Sequence, residues 1–193
     1  MSTDVFANQE YLLRRQVLTL IGAKFQVFDP QGQLILFSQQ KGWKLKEDIR
    51  VYADESMKTE RLLIQARKII DFSSAYDVVD SASGQKVGAL RRKGLKSVLR
   101  DSWEFLDASD RVFAVIEEDS LFKALVRRFL LNFIPQSFHA KTGDQLLVSY
   151  KQNFNPFVFK LMVKLEPGAH QTLDPRLALA GAILLAAVEG RQG

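Results

Sequence analysis

The 193-residue sequence contains no cysteine and only two histidines, His139 and His170. A disulfide framework, a thiol nucleophile and a thiolate zinc site are therefore excluded, and nothing points to an oxidising compartment. Neither histidine sits in an HxH or HExxH spacing: His139 falls inside an alternating stretch and His170 in a Gly-Ala-His-Gln loop. Gly-x-Ser-x-Gly, Walker and dinucleotide glycine patterns are missing too, so no motif nominates a catalytic residue, a metal or a cofactor. The first ten residues, Met1 to Glu10, lack the basic start and apolar run of a signal peptide. The expectation is a cytoplasmic protein, with room for peripheral contact at a membrane.

What the chain does have is a hydrophobic share of 47% and a formal charge of +5. The first suits one compact domain, expected over 11–193 behind a 1–10 extension. The second favours an anionic contact, whether lipid headgroup, nucleic acid or acidic protein. Four segments share a pattern in which an aromatic-led alternating run reaches a polar turn and a second apolar run leaves it. They are Phe25–Phe37 with Asp29 and Gly32, Tyr76–Leu90 with Asp80 and Gly84, Trp103–Ile116 with Asp107 and Asp110, and Phe138–Tyr150 with Gly143. They read as β-hairpins, with Gly supplying the positive φ and Asp110 standing where Gly stood. Their uneven starts, at 25, 76, 103 and 138, speak against a solenoid. Further strands fit at Tyr11–Leu18, Asp48–Tyr52, Leu62–Arg67 and Phe157–Leu165. So many strands expose many edges, which closure into a barrel removes.

Two apolar stretches interrupt this pattern. Asp174-Pro175 is a helix start, with Asp as N-cap and Pro at the first helical position, and Leu177–Val188 follows without a charge. Twelve residues span roughly 18 Å as helix, short of a bilayer core of about 30 Å, so burial inside the protein is expected. The second stretch, 121–134, reads as an amphipathic helix with Lys123, Arg127 and Arg128 on a narrow basic face. It can pack on the barrel or lie in a membrane interface, and the sequence leaves both open. The expected architecture is mainly β: a closed barrel of roughly twelve strands around a buried hydrophobic C-terminal helix, with this additional helix near 121–134.

The hairpins at Phe25–Asp29 with Gly32 and Tyr76–Asp80 with Gly84, the following Lys86–Lys93 run and the closing helix from Asp174 resemble the tubby C-terminal-like superfamily. Within it they are most similar to LURP-one-related and phospholipid scramblase-like proteins. The resemblance implies a β-barrel enclosing a C-terminal helix, and the use of a basic surface toward phosphoinositide or other anionic headgroups. It does not extend to the proline-rich tail and acylated cysteine cluster of animal scramblase-like proteins. Nor does it supply a calcium loop: Asp107, Asp110, Glu117, Glu118 and Asp119 lack the alternating ligands and central Gly of one.

Two basic clusters are the candidate anion contacts. Arg91, Arg92, Lys93, Lys96 and Arg100 put five cations in ten residues, and Lys123, Arg127 and Arg128 form the second group. Arg forks and Lys point charges suit phosphate oxygens, whereas the same residues can simply blunt a strand edge. The leading function is a non-catalytic binding or scaffold domain touching anionic phospholipid or a membrane surface. Nucleic-acid binding is the alternative, although the interleaved exposed aromatics of single-strand platforms are not evident. An enzyme with an unrecognised site stands last. No protein partner can be named from the residues.

Overall fold

A computed structural model describes residues 4–18, 22–41, 48–67, 74–93, 102–118, 137–153 and 158–189. Twelve strands lie within them: β1 Glu10–Leu18, β2 Gly22–Phe28, β3 Leu34–Lys41, β4 Ile49–Tyr52, β5 Glu60–Ala66 and β6 Ser74–Asp80, then β7 Lys86–Arg92, β8 Trp103–Leu106, β9 Val112–Glu118, β10 Ser137–Thr142, β11 Gln145–Gln152 and β12 Phe159–Leu165. Every strand pairs antiparallel with its neighbours in sequence, and β12 returns to β1 to close the barrel. The strands expected at Tyr11–Leu18, Asp48–Tyr52, Leu62–Arg67 and Phe157–Leu165 are present, with ends moved by one or two residues. The amphipathic stretch at 121–134 lies outside the described residues.

Alternation builds the interior. Ala23, Phe25 and Val27 on β2 and Leu161, Val163 and Leu165 on β12 are buried, while Lys24, Gln26, Met162 and Lys164 between them are not. Through the lumen runs one helix, α1, Pro175–Glu189. Asp174 caps it by accepting the Arg176 backbone N–H at Oδ1 (2.9 Å), and the Leu177 N–H reaches the Asp174 carbonyl (2.9 Å). Every residue from Leu177 to Ala187 is buried, as a helix without a polar face requires. The Tyr150 hydroxyl, fully buried on β11, donates to the Ala178 carbonyl at 3.0 Å. Burial pushes its pKa well above the ordinary phenolic range, so it remains a donor.

The hairpin repeat is more regular than its spacing suggests. In the β2–β3, β6–β7 and β8–β9 turns an Asp carboxylate (Asp29, Asp80, Asp107) accepts a backbone N–H two or three residues on, and a residue with positive φ follows. Asp110 does adopt a positive φ of 64°. The β4–β5 connection uses the same device: Asp54 accepts the Ser56 N–H at 2.8 Å, and Met57 takes a φ of 54°. The sequence hides that turn, because Met in place of Gly carries no turn signal. At each of these four hairpins the pairing slips by a residue beside the turn, as in a bulged hairpin end.

The wall must come close to α1, and two glycines allow it. A Cβ on Gly88 of β7 would lie 2.5 Å from the Leu106 carbonyl oxygen and 2.9 Å from the Leu177 side chain, and one on Gly181 of α1 would lie 2.9 Å from the Tyr150 hydroxyl. Gly88→Ala is therefore expected to destabilise the protein by about 1–3 kcal/mol through overpacking, read from the denaturant midpoint. A midpoint equal to that of the native protein would show that the wall can yield.

Candidate functional site

The helix occupies the lumen that open barrels keep for a ligand, which leaves the outer wall and the two rims for binding. Of the first basic cluster, Arg91, Arg92 and Lys93 are described. Arg91 pairs with Glu104 across the β7–β8 ladder, and both it and Lys93 reach the Glu104 carboxylate, at 2.6 and 2.8 Å. Glu104 is 94% buried, so the two cations, themselves still partly exposed, share a shielded counter-charge. Burial alone would raise the Glu104 pKa, but hydrogen bonds from Lys93 and Arg91 outweigh it and hold the carboxyl below the usual range. Arg92 shares the lumen-side register of Leu90, opposite Trp103. The three consecutive cations thus do not form one outward patch. Lys96, Arg100, Lys123, Arg127 and Arg128 lie outside the described residues.

The acidic residues are similarly engaged. Asp110 bridges Arg67 and Lys86, which both also contact Asp77, and Asp107 holds Arg111. The Asp110 carboxyl is held below its ordinary pKa chiefly by hydrogen bonds from Lys86 and Arg67. Glu117 is exposed on β9, and Asp119 lies outside the described residues. Among the described residues no three His, Asp or Glu side chains converge as a metal site. His139 lies between Glu117 and Ser149 on the outward register of β10, and His170 sits in the 3-10 turn Ala169–Gln171.

A cleft of about 420 Å³ opens where α1 begins, lined among others by Phe6, Arg61, Asp80, His170, Asp174 and Arg176. Arg176 joins Asp174 (2.6 Å) to Asp80 (2.8 Å), clasping the helix start to the β6–β7 turn. These two partners raise the Arg176 pKa, and the Ser83 backbone N–H, with help from Arg176, lowers that of Asp80. Arg61 lies over the Phe6 ring, 5.8 Å from its centre. The charged groups at the helix start satisfy one another, and the arrangement is that of a structural clasp with no carboxyl set apart as an acid.

Register brings together a third group that sequence order conceals. On the outer wall Arg14 of β1 lies directly opposite Lys160 of β12, and on its other side opposite Gln26 of β2. Lys24 of β2 is one outward position from Gln26, and Lys151 of β11 pairs with Met162 of β12. None of Arg14, Lys24, Lys151 or Lys160 forms an ion pair with a carboxylate among the described residues. Each comes from a separate segment and occupies an ordinary polar position of an alternating strand, so only the strand order could have revealed the group.

The family model described as LURP-one-related matches residues 34–186, from β3 into α1. No curated protein matches the chain.

Glu104 generates a prediction in stability. A carboxyl whose folded pKa is lowered stabilises fully above its ordinary value, 4.5, and the contribution is lost as pH falls through the lowered folded value. Glu104→Gln should therefore lower stability at neutral pH by about 1 kcal/mol, its partners being partly exposed. The deficit should shrink in acid. Urea midpoints of both proteins at neutral and acidic pH measure this, and a deficit that persists unchanged into acid would deny the ion pair its role.

Proposed function

Since the chain belongs to the LURP-one-related family, whose fold is tubby-like, we propose that it is a non-catalytic binding domain that touches anionic phospholipid surfaces reversibly with its outside. The observation that carries this reading is the filled barrel: α1 takes the lumen and leaves the outside for binding, and on the outer wall Arg14, Lys151 and Lys160 have no carboxylate partner among the described residues. An anionic surface is the natural counterpart of cations without internal partners. Within the described residues the carboxylates that could work as acid and base are bound to arginines, lysines and turn N–H groups, which supports binding over catalysis.

The contact would be peripheral. No helix among the described residues is long and apolar enough to cross a membrane. Electrostatic association of this kind weakens as salt shortens the Debye length.

In flotation, the purified protein should rise with phosphatidylcholine vesicles containing phosphatidylserine, stay behind with phosphatidylcholine alone, and detach as salt is added. Equal recovery with both vesicle types, or with neither, refutes the proposal. A nucleic-acid mobility shift run beside it tests the alternative partner.

A further inference from the structure

Around Met162 the outer wall has an organisation that Arg91, Arg92 and Lys93 do not share. Met162 is 42% exposed, one of the three most open large apolar side chains described. Lys160 and Lys164 stand on either side of it along β12, Lys151 faces it from β11, and half-buried Leu12 faces it from β1. Arg14 follows Leu12 on the outward register and stands opposite Lys160. Lys164 contacts Glu10 at 3.2 Å, whereas Arg14, Lys151 and Lys160 have no carboxylate partner among the described residues. The buried Nε–H of Arg14 has no acceptor among the described residues.

Like charges directly opposite on adjacent strands destabilise a sheet, and here the Arg14–Lys160 pair has no relieving acid among the described residues. An external anion would relieve it. Lys24 carries the positive row one strand further, and at about 4.8 Å per strand the four strands β2, β1, β12 and β11 spread it over roughly 14 Å. Lys24 and Arg14 both precede the portion matched by the family model.

The choice of partner follows from the centre of the patch. Cations framing an exposed thioether and a leucine suit a surface that is anionic outside and apolar just beneath, as at the headgroup boundary of a bilayer. A nucleic-acid platform would need a row of exposed stacking aromatics, whereas here Met162 and Leu12 form the centre and the one aromatic beside them, Phe28 opposite Leu12 on β2, is half-buried. We infer that the outer face of β1, β11 and β12, centred on Met162 and framed by Arg14, Lys151 and Lys160, is the surface with which the protein docks on an anionic bilayer. This rests on the lipid-binding reading and assigns that contact to a face other than that of Arg91 and Lys93, which Glu104 already engages.

The test uses the full chain and phosphatidylcholine vesicles with and without phosphatidylserine. Near an anionic leaflet each basic residue strengthens association about fivefold, so the R14Q/K151Q/K160Q variant should bind about a hundredfold more weakly. The K151Q/K160Q variant spares half-buried Arg14 and should still lose about twenty-fivefold, while R14K/K151R/K160R should bind as the native protein does. Relief of repulsion should raise the melting temperature of R14Q/K151Q/K160Q by about 1–3 °C, a sign opposite to that of a damaged fold. If both glutamine variants bind like the native chain and R91Q/K93Q does not, this docking face is refuted and the lipid reading stands. Failure of the native protein to bind either vesicle removes both. Retention on duplex DNA that depends on the same residues, without vesicle binding, transfers the face to nucleic acid and overturns the inference.

Discussion

A helix without a polar face cannot stay in water, and the whole architecture answers that constraint. α1 buries every side chain from Leu177 to Ala187, each large one worth about 2 kcal/mol in removed apolar area. An open sheet would cover only one side of such a helix, so the strands surround it. Twelve strands in simple antiparallel succession do this and leave no edge. The close fit then fixes details at the wall: Gly88 where β7 meets Leu177, Gly181 where α1 meets Tyr150, and the buried Tyr150 hydroxyl donating to the Ala178 carbonyl.

Wrapping a wall around a helix also requires the strands to reverse tightly and to coil. One turn recurs at four hairpins, with an Asp carboxylate gathering backbone N–H groups and a left-handed residue ending the turn beside a slip in register. Bulges increase local twist, which helps a sheet curve into closure. At Asp80 the same carboxylate does a second task, since its other oxygen receives Arg176 and so ties the turn to the start of α1. Turn chemistry and helix placement are coupled through one residue.

Sequence and structure agree best where the signal is local. Asp174-Pro175 ahead of the uncharged Leu177–Val188 could hardly be anything except a helix start, and period-two alternation located strands to within four residues. The β4–β5 hairpin escaped because Met57 holds a conformation that glycine usually marks. The site was far less legible. Arg91, Arg92 and Lys93 form one run in sequence, yet a strand sends alternate residues to opposite faces, and an acid from β8 reaches the outward pair. Arg14 and Lys160 are remote in sequence and adjacent in space, because closure sets the first strand against the last. Such a pairing is a property of the topology, and no window of the sequence contains it.

That same alternation separates the two tasks of the wall. On β12, Leu161, Val163 and Leu165 face the lumen, while Lys160, Met162 and Lys164 face out from the positions between them. The inward set is constrained by packing on its neighbours and α1, but the outward set is free to change its chemistry without opening a cavity. The packed set also fixes the backbone from which the outward residues project. Cations held this way keep their spacing without the ordering cost of a loop, so a repulsive pair such as Arg14 and Lys160 can persist in a stable barrel. The stability of the closed core is what lets its outer face carry a like-charge pair that the fold itself does not require.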